Sequence, residues 1–191
     1  MMGKTVIILI AGKAGTGKSF FAEKLRSIFE LRKYNVEIQH FASVLKYIAK
    51  QYFGWDGIKD ERGRKLLQHL GDIGREYDKD VWVKNLLELR LFVSRQYPQD
   101  IVIIDDWRFP NEFDYLNKNC NYSIYKVRMS ASDRELLKGG ASVHCSETSL
   151  PPETELSYYN FIIDNCEGKT DLVKEAKELA DYIVQKEDNF R

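Results

Sequence analysis

Gly12, Gly17, Lys18 and Ser19 stand in the spacing G-x-x-x-x-G-K-S, within the stretch "GKAGTGKS". That spacing suits one kind of chemistry, the gripping of a polyphosphate. Glycines let successive amide N–H groups converge on phosphate oxygens, and a helix that starts there adds the positive end of its dipole. Lys18 supplies a point charge for the β- and γ-phosphates, and Ser19 a hydroxyl for Mg²⁺. Ala14, Gly15, Thr16 and Phe20 complete the set expected around ATP.

A metal-bound triphosphate needs a carboxylate opposite the loop. "IVIIDDWRFPNE" offers Asp105 and Asp106 after four apolar residues, where a buried parallel strand would end. Asp105 is the expected partner of Mg²⁺, and Asp106 lies nearer an acceptor. Arg108 follows two residues later. In a helix over 61–77, Arg64, Gln68, Gly71 and Arg75 share one face, while Leu66, Leu70, Ile73 and Tyr77 make the opposite, apolar side. Two guanidinium forks can grip a phosphate, an amide can read a base edge, and the glycine leaves room for a ligand. Arg128 and Arg134, in "KVRMSASDRELLKGG", suit a polar cover that brings a cation to a transferring phosphoryl group. Trp55, Trp82 and Trp107 could stack on a base, and Trp107 is counted with the acceptor pocket, although core packing is the commoner fate of a tryptophan. His40 and His69 have no partners at metal-binding spacing, and "HCSET" groups His144, Ser146 and Glu147 without a derivable role.

These residues need elements to position them. "VIILIA" reads as a buried parallel strand, followed by a helix from Lys18 to about Arg32 with Phe21, Leu25, Ile28 and Phe29 inward. "NVEIQHF" is a second strand, and "ASVLKYIAKQYF" a helix that stops before Gly54. A helix over about 80–96 turns Leu86, Leu89 and Val93 inward and stops before Pro98. "IVII", "YSIYKVRM" and "YYNFIID" are strands, and a last helix from about Thr170 carries Leu172, Ala176, Leu179 and Ile183 on one face. Strands alternating with helices imply a parallel sheet covered on both sides.

Composition bounds the rest. The 191 residues fit one domain. The 29 basic and 29 acidic residues cancel, so no single-sign field favours polymeric nucleic acid or a membrane surface. The opening apolar run is too short for a signal peptide or a membrane span. Cys120, Cys145 and Cys166 have neither disulfide nor zinc spacing, which makes a cytoplasmic location the default, host cytoplasm if the chain is phage-encoded.

The chain resembles the P-loop nucleoside monophosphate kinases, and among them the phage-type deoxynucleoside monophosphate kinases. The stretches that carry this are "GKAGTGKS", "FASVLKYIAKQYFG", "RKLLQHLGDIGRE", "IIDDWRFPNE", "HCSETSL" and "FIIDNCEGKTDLV". The resemblance implies a three-layer α/β/α P-loop NTPase fold with five parallel strands in the order 2-3-1-4-5, an acceptor-binding helical insertion at about 42–97 and a small helical lid at about 130–150. It implies ATP-dependent phosphorylation of a (deoxy)nucleoside 5′-monophosphate by a monomer or homodimer, with Mg²⁺ and small nucleotides as its partners. Phe41, Ala42 and Lys46 would then join Arg64, Gln68 and Arg75 at the acceptor, and Asn165 and Gly168 would lie by the adenine of ATP. Lids in the family often carry paired arginines, whereas here Arg134 is followed one turn later by Lys138. Two other functions fit a phosphate loop: a kinase of another small metabolite, of the dephospho-coenzyme A kinase type, and a nucleotide-binding switch without an acceptor.

Overall fold

Alternation along β1 (Val6–Ala11) sets up two cores. Val6, Ile8 and Ile10 point to one face of the sheet, while Ile7, Leu9 and Ala11 point to the other, and all are buried. The computed structural model describes residues 5–94, 100–133, 144–152 and 154–187, with side chains of the helix ending at Ser94 described through Glu88. The expectations for Leu89, Val93, Pro98 and Arg134, and for residues 134–143 of the lid segment, therefore lie outside the described residues.

The chain continues through α1 (Lys18–Leu31), β2 (Val36–Gln39), α2 (Ser43–Phe53), α3 (Glu61–Tyr77), α4 (Val81–Ser94), β3 (Ile101–Trp107), α5 (Pro110–Asn119), β4 (Ser123–Ser130), α6 (Cys145–Thr148), β5 (Phe161–Asp164) and α7 (Leu172–Lys186). The five strands are parallel, in the order β2-β3-β1-β4-β5. Helices α1 and α7 cover one face with Phe21, Leu25, Phe29, Leu179 and Ile183. A fully buried side chain of this size contributes about 1.5–3 kcal/mol. On the other face Phe41, Val83, Leu86, Leu116 and Tyr159 pack against Ile7, Leu9, Val102 and Ile104. Nothing in the sequence reading marks α5. Pro110 opens it, and Glu112 turns back to accept the N–H groups of Arg108 (3.0 Å) and Phe109 (3.1 Å).

The apolar side expected of α3 is packed only in part, with Leu66 and Leu70 half-buried. Ile73 is 63 % and Tyr77 91 % exposed, whereas Gly63 and Gly71 are buried. Spacing alone favours the leucine-isoleucine side. The packed side is chosen by Trp82 of α4, whose ring lies on Gly74 and whose indole N–H donates to the Gly71 carbonyl at 3.1 Å. Gly71 is likewise no opening for a ligand, because a Cβ there would stand 3.0 Å from a guanidinium nitrogen of Arg75 and 3.3 Å from Leu45. Gly74→Ala would drive a methyl group into the Trp82 ring. It is expected to cost about 2–3 kcal/mol and to lower Tm by roughly 5–10 °C in a thermal melt.

Candidate active site

The loop Gly12–Gly17 leaves the carboxyl end of β1 and runs into α1. Gly17 caps that helix at φ 93°, and a Cβ on it would lie 2.7 Å from the side-chain amide of Asn165, so both conformation and space demand glycine. Lys18 is buried and donates to the carbonyls of Gly12 (2.7 Å) and Lys13 (2.8 Å). Burial, helped by the nearby Arg108 charge, pushes its pKa down to about 8, against the opposing pull of Glu147, Asp105 and Asp106.

Ser19 Oγ donates to Asp105 Oδ2 at 2.6 Å, joining two residues 86 positions apart. Asp105 Oδ1 lies 2.5 Å from Nδ1 of His40. Burial pushes the Asp105 carboxyl up, but the hydrogen bonds from His40 and Ser19 outweigh it and hold the group below its ordinary value. The same contact raises the His40 pKa. His40 is therefore not isolated, contrary to its reading from spacing. It follows β2, the neighbour of β3, and the parallel pairing carries it to Asp105. A hydroxyl and a carboxylate are hard oxygen donors, which fits Mg²⁺. Asp106 accepts the backbone N–H groups of Phe41 (2.8 Å) and Ala42 (3.1 Å) and so fixes the turn into α2.

Beyond this pair lies a cavity lined by Phe41, Ala42, Lys46, Arg64, Gln68, Arg75, Asp106 and Arg108, the expected acceptor residues with one exception. The exception is Trp107, which is 0 % exposed and stacks on Tyr158 in the core at 6.0 Å between ring centroids. The pairing of β1 with β3 slips between Leu9 and Ala11, so that Leu9 faces Ile104 while Ala11 faces Trp107. The extra residue turns Trp107 to the face that holds Val102 and Ile104. Arg75 lies on the ring of Phe109 at 4.2 Å and pairs with Asp72 at 2.6 Å.

Leu45, Lys59, Leu67 and Glu112 also line the cavity without having been marked in the sequence, and His144, Ser146 and Glu147, singled out there without a role, join them. Burial pushes the pKa of Lys59 down and that of Glu112 up to about 8. The stretch "HCSET" gains a structural role. His144 caps α6 by accepting the N–H of Ser146 and meets Asp72 through Nε2 at 2.9 Å, while Glu147 pairs with Arg108 at 2.5 Å. These partners come from α3 and from the residue that follows β3, and leave no local signal.

On the other side of the loop, Phe20, Asn165 and Gly168 line one open groove with Leu172. Asn165 also donates to the carbonyl of Thr16 at 3.1 Å, bracing the phosphate loop. Arg128 does not belong to a polar cover, because it sits buried within β4, 6.0 Å from the ring centre of Tyr159. Arg134 lies outside the described residues.

No protein-family model and no curated protein matches the chain. Solved structures do. The crystal structure of APE1195 aligns at TM-score 0.54 and 12 % identity over 95 % of this chain and 96 % of its own. A protein of Chloroflexus aurantiacus provisionally named a kinase aligns at TM-score 0.55 and 12 % identity, over 98 % of this chain and all of its own. The APS kinase CysC of Mycobacterium tuberculosis, in complex with AMPPNP and APS, aligns at TM-score 0.50 and 9 % identity over 95 % and 98 %. The chain has the P-loop NTPase fold. At these identities the likeness shows the fold alone, and the strand order expected from the sequence is the order found. Among the described residues no helix is long and apolar enough to cross a membrane.

Proposed function

We propose that the protein is a P-loop kinase that transfers the γ-phosphoryl group of ATP to the phosphate of a (deoxy)nucleoside 5′-monophosphate. One observation carries the reading: the cavity beside the Ser19–Asp105 pair collects Lys46, Arg64, Arg75 and Arg108 together with Gln68. Several cations in one pocket suit a dianionic acceptor, and the amide suits a base. A switch protein has no use for such a second pocket. The APS kinase with a similar fold, bound to AMPPNP and APS, supports a phosphoryl donor and a small acceptor.

Ser19 and Asp105 would hold Mg²⁺, which neutralises charge on the β- and γ-phosphate oxygens when bound. The loop amides and Lys18 would hold the donor. Arg64 and Arg75 would orient the acceptor phosphate, and Arg108 would stabilise charge between the two. An acceptor oxygen attacks the γ-phosphorus as the bond to the bridging oxygen of ADP breaks. That oxygen is already anionic, so no general base is required. A hydroxyl acceptor would require one. Asp106 is poorly placed for that task, since both its oxygens already accept backbone N–H groups.

The test is coupled ADP release with the four common deoxynucleoside monophosphates, their ribose counterparts and dephospho-coenzyme A. The reading expects release that depends on at least one monophosphate. ADP release only with the hydroxyl acceptor, or equal release with no acceptor, would contradict it.

A further inference from the structure

Glu147 is a deeply buried acid of the acceptor cavity with a fully buried oxygen that lacks a donor. Its side chain is 8 % exposed. Oε1 pairs with Arg108 at 2.5 Å, while Oε2 is buried with no hydrogen-bond partner among the described residues. Burying a carboxylate oxygen without a donor is costly, so this pairing is held at a disadvantage.

The location of Glu147 says what the carboxylate does. It lines the acceptor cavity and also the small cleft that reaches Gly12 of the phosphate loop, so it stands where the two nucleotide sites meet. Its nearby cations are Arg108 and Lys18, and Arg128 lines the same cleft. Two further cationic groups of the site are likewise answered from within. Lys18 donates to the carbonyls of Gly12 and Lys13, and Arg75 pairs with Asp72, which His144 holds in turn at 2.9 Å. Arg108, Lys18 and Arg75 are thus each matched by an acceptor of the protein's own.

We propose that Glu147 is an internal stand-in for a phosphate: its carboxylate, paired with Arg108, sits at the phosphoryl-transfer point, and an incoming phosphate or pyrophosphate oxyanion must displace it from Arg108. The inference rests on the kinase reading only for the name of that point. The exchange breaks no covalent bond. Arg108 passes from one oxyanion to another, and Glu147 leaves a pocket in which one of its oxygens had no donor. The internal carboxylate thus sets a threshold that a phosphate overcomes and a neutral nucleoside does not.

The experiment measures binding of inorganic pyrophosphate by calorimetry, and steady-state kinetics with the best monophosphate, for the wild type, Glu147→Gln and Glu147→Asp. Glu147→Gln keeps the shape and removes the competing charge. It is expected to tighten pyrophosphate binding and to lower the acceptor KM by about tenfold, within the span of couplings between competing occupants. Glu147→Asp keeps the charge with a shorter reach and is expected to fall between the two. A thermal melt of each variant reports folding, and if Glu147→Gln does not fold, the Asp variant decides by the same sign. Weaker pyrophosphate binding in the variants would show that Glu147 assists anion binding, and would overturn the proposal. A fall in kcat with KM and pyrophosphate affinity unchanged would make Glu147 a positioning group for Arg108, and would also overturn it. Unchanged values throughout would do the same. Tighter pyrophosphate binding without turnover on any monophosphate would leave this inference standing and reject the acceptor assigned above.

Discussion

Lys18→Met is expected to lower kcat by about 10³-fold while the protein stays folded. The size of the loss follows from removing a charge aimed at oxygens that gain charge during transfer, inside a site where water does not screen it. The intact fold follows from how Lys18 is held. Burial takes its pKa from 10.5 down to about 8, so holding the ammonium charged at neutral pH costs about 3 kcal/mol. Removing that charge offsets the lost hydrogen bond to the Gly12 carbonyl, while the Lys13 carbonyl keeps the N–H and hydroxyl of Thr16. Tm at pH 7 is therefore expected to stay within about 3 °C of the wild type. The pH dependence has a definite sign. Between about pH 8 and 10.5 the unfolded chain keeps the Lys18 proton and the folded chain has lost it, so wild-type stability gains a contribution as pH rises through this window. Lys18→Met lacks that gain. Melting curves from pH 7 to 10.5 check it, and equal slopes for the two proteins would show that Lys18 is not desolvated.

Asp105→Asn is the second large effect. The substitution keeps the shape of the side chain and can still accept from Ser19, but it removes the one negative charge that meets the Ser19 hydroxyl. Under the proposed function kcat is expected to fall by about 10²–10³-fold, with the concentration of Mg²⁺ needed for half-maximal rate raised. Raising Mg²⁺ should recover part of the rate of Asp105→Asn and none of that of Lys18→Met, since the two residues act on different partners of the triphosphate. A variant with unchanged Mg²⁺ dependence would remove Asp105 from the metal site. Stability moves as well. The folded-state pKa of Asp105 lies below its ordinary value, so the carboxylate contributes stability above pH 3.8 that is lost as pH falls through the folded value. The variant should be less stable than the wild type at neutral pH and should lose less on acidification.

The parts of this site readable in the sequence are those that depend on local spacing. Gly12 to Ser19 form one loop and helix start, Asp105 ends an apolar strand, and Arg64, Gln68 and Arg75 recur at helical period. The unread parts depend on pairing between distant segments. His40 meets Asp105 only because β2 lies beside β3, and Glu147 meets Arg108 across 39 positions of chain. Trp107 departs from the expectation through one slipped register, and the exposed Ile73 and Tyr77 of α3 because a large ring packs on the glycine side of that helix. A hydrophobic period reports which faces are apolar. It does not report which of them a neighbouring tryptophan takes.

Under the proposed function two phosphate-gripping sites meet at Glu147, one at the loop and one at Arg64 and Arg75 of α3 with Arg108 after β3. A bisubstrate ligand, adenosine joined to a nucleoside through five phosphates, tests it most directly by calorimetric titration with Mg²⁺. Binding is expected to be at least about 100-fold tighter than that of ATP, because the second grip becomes intramolecular, with most of that gain lost in Arg75→Ala. Binding no tighter than ATP, or a gain untouched by Arg75→Ala, would contradict it.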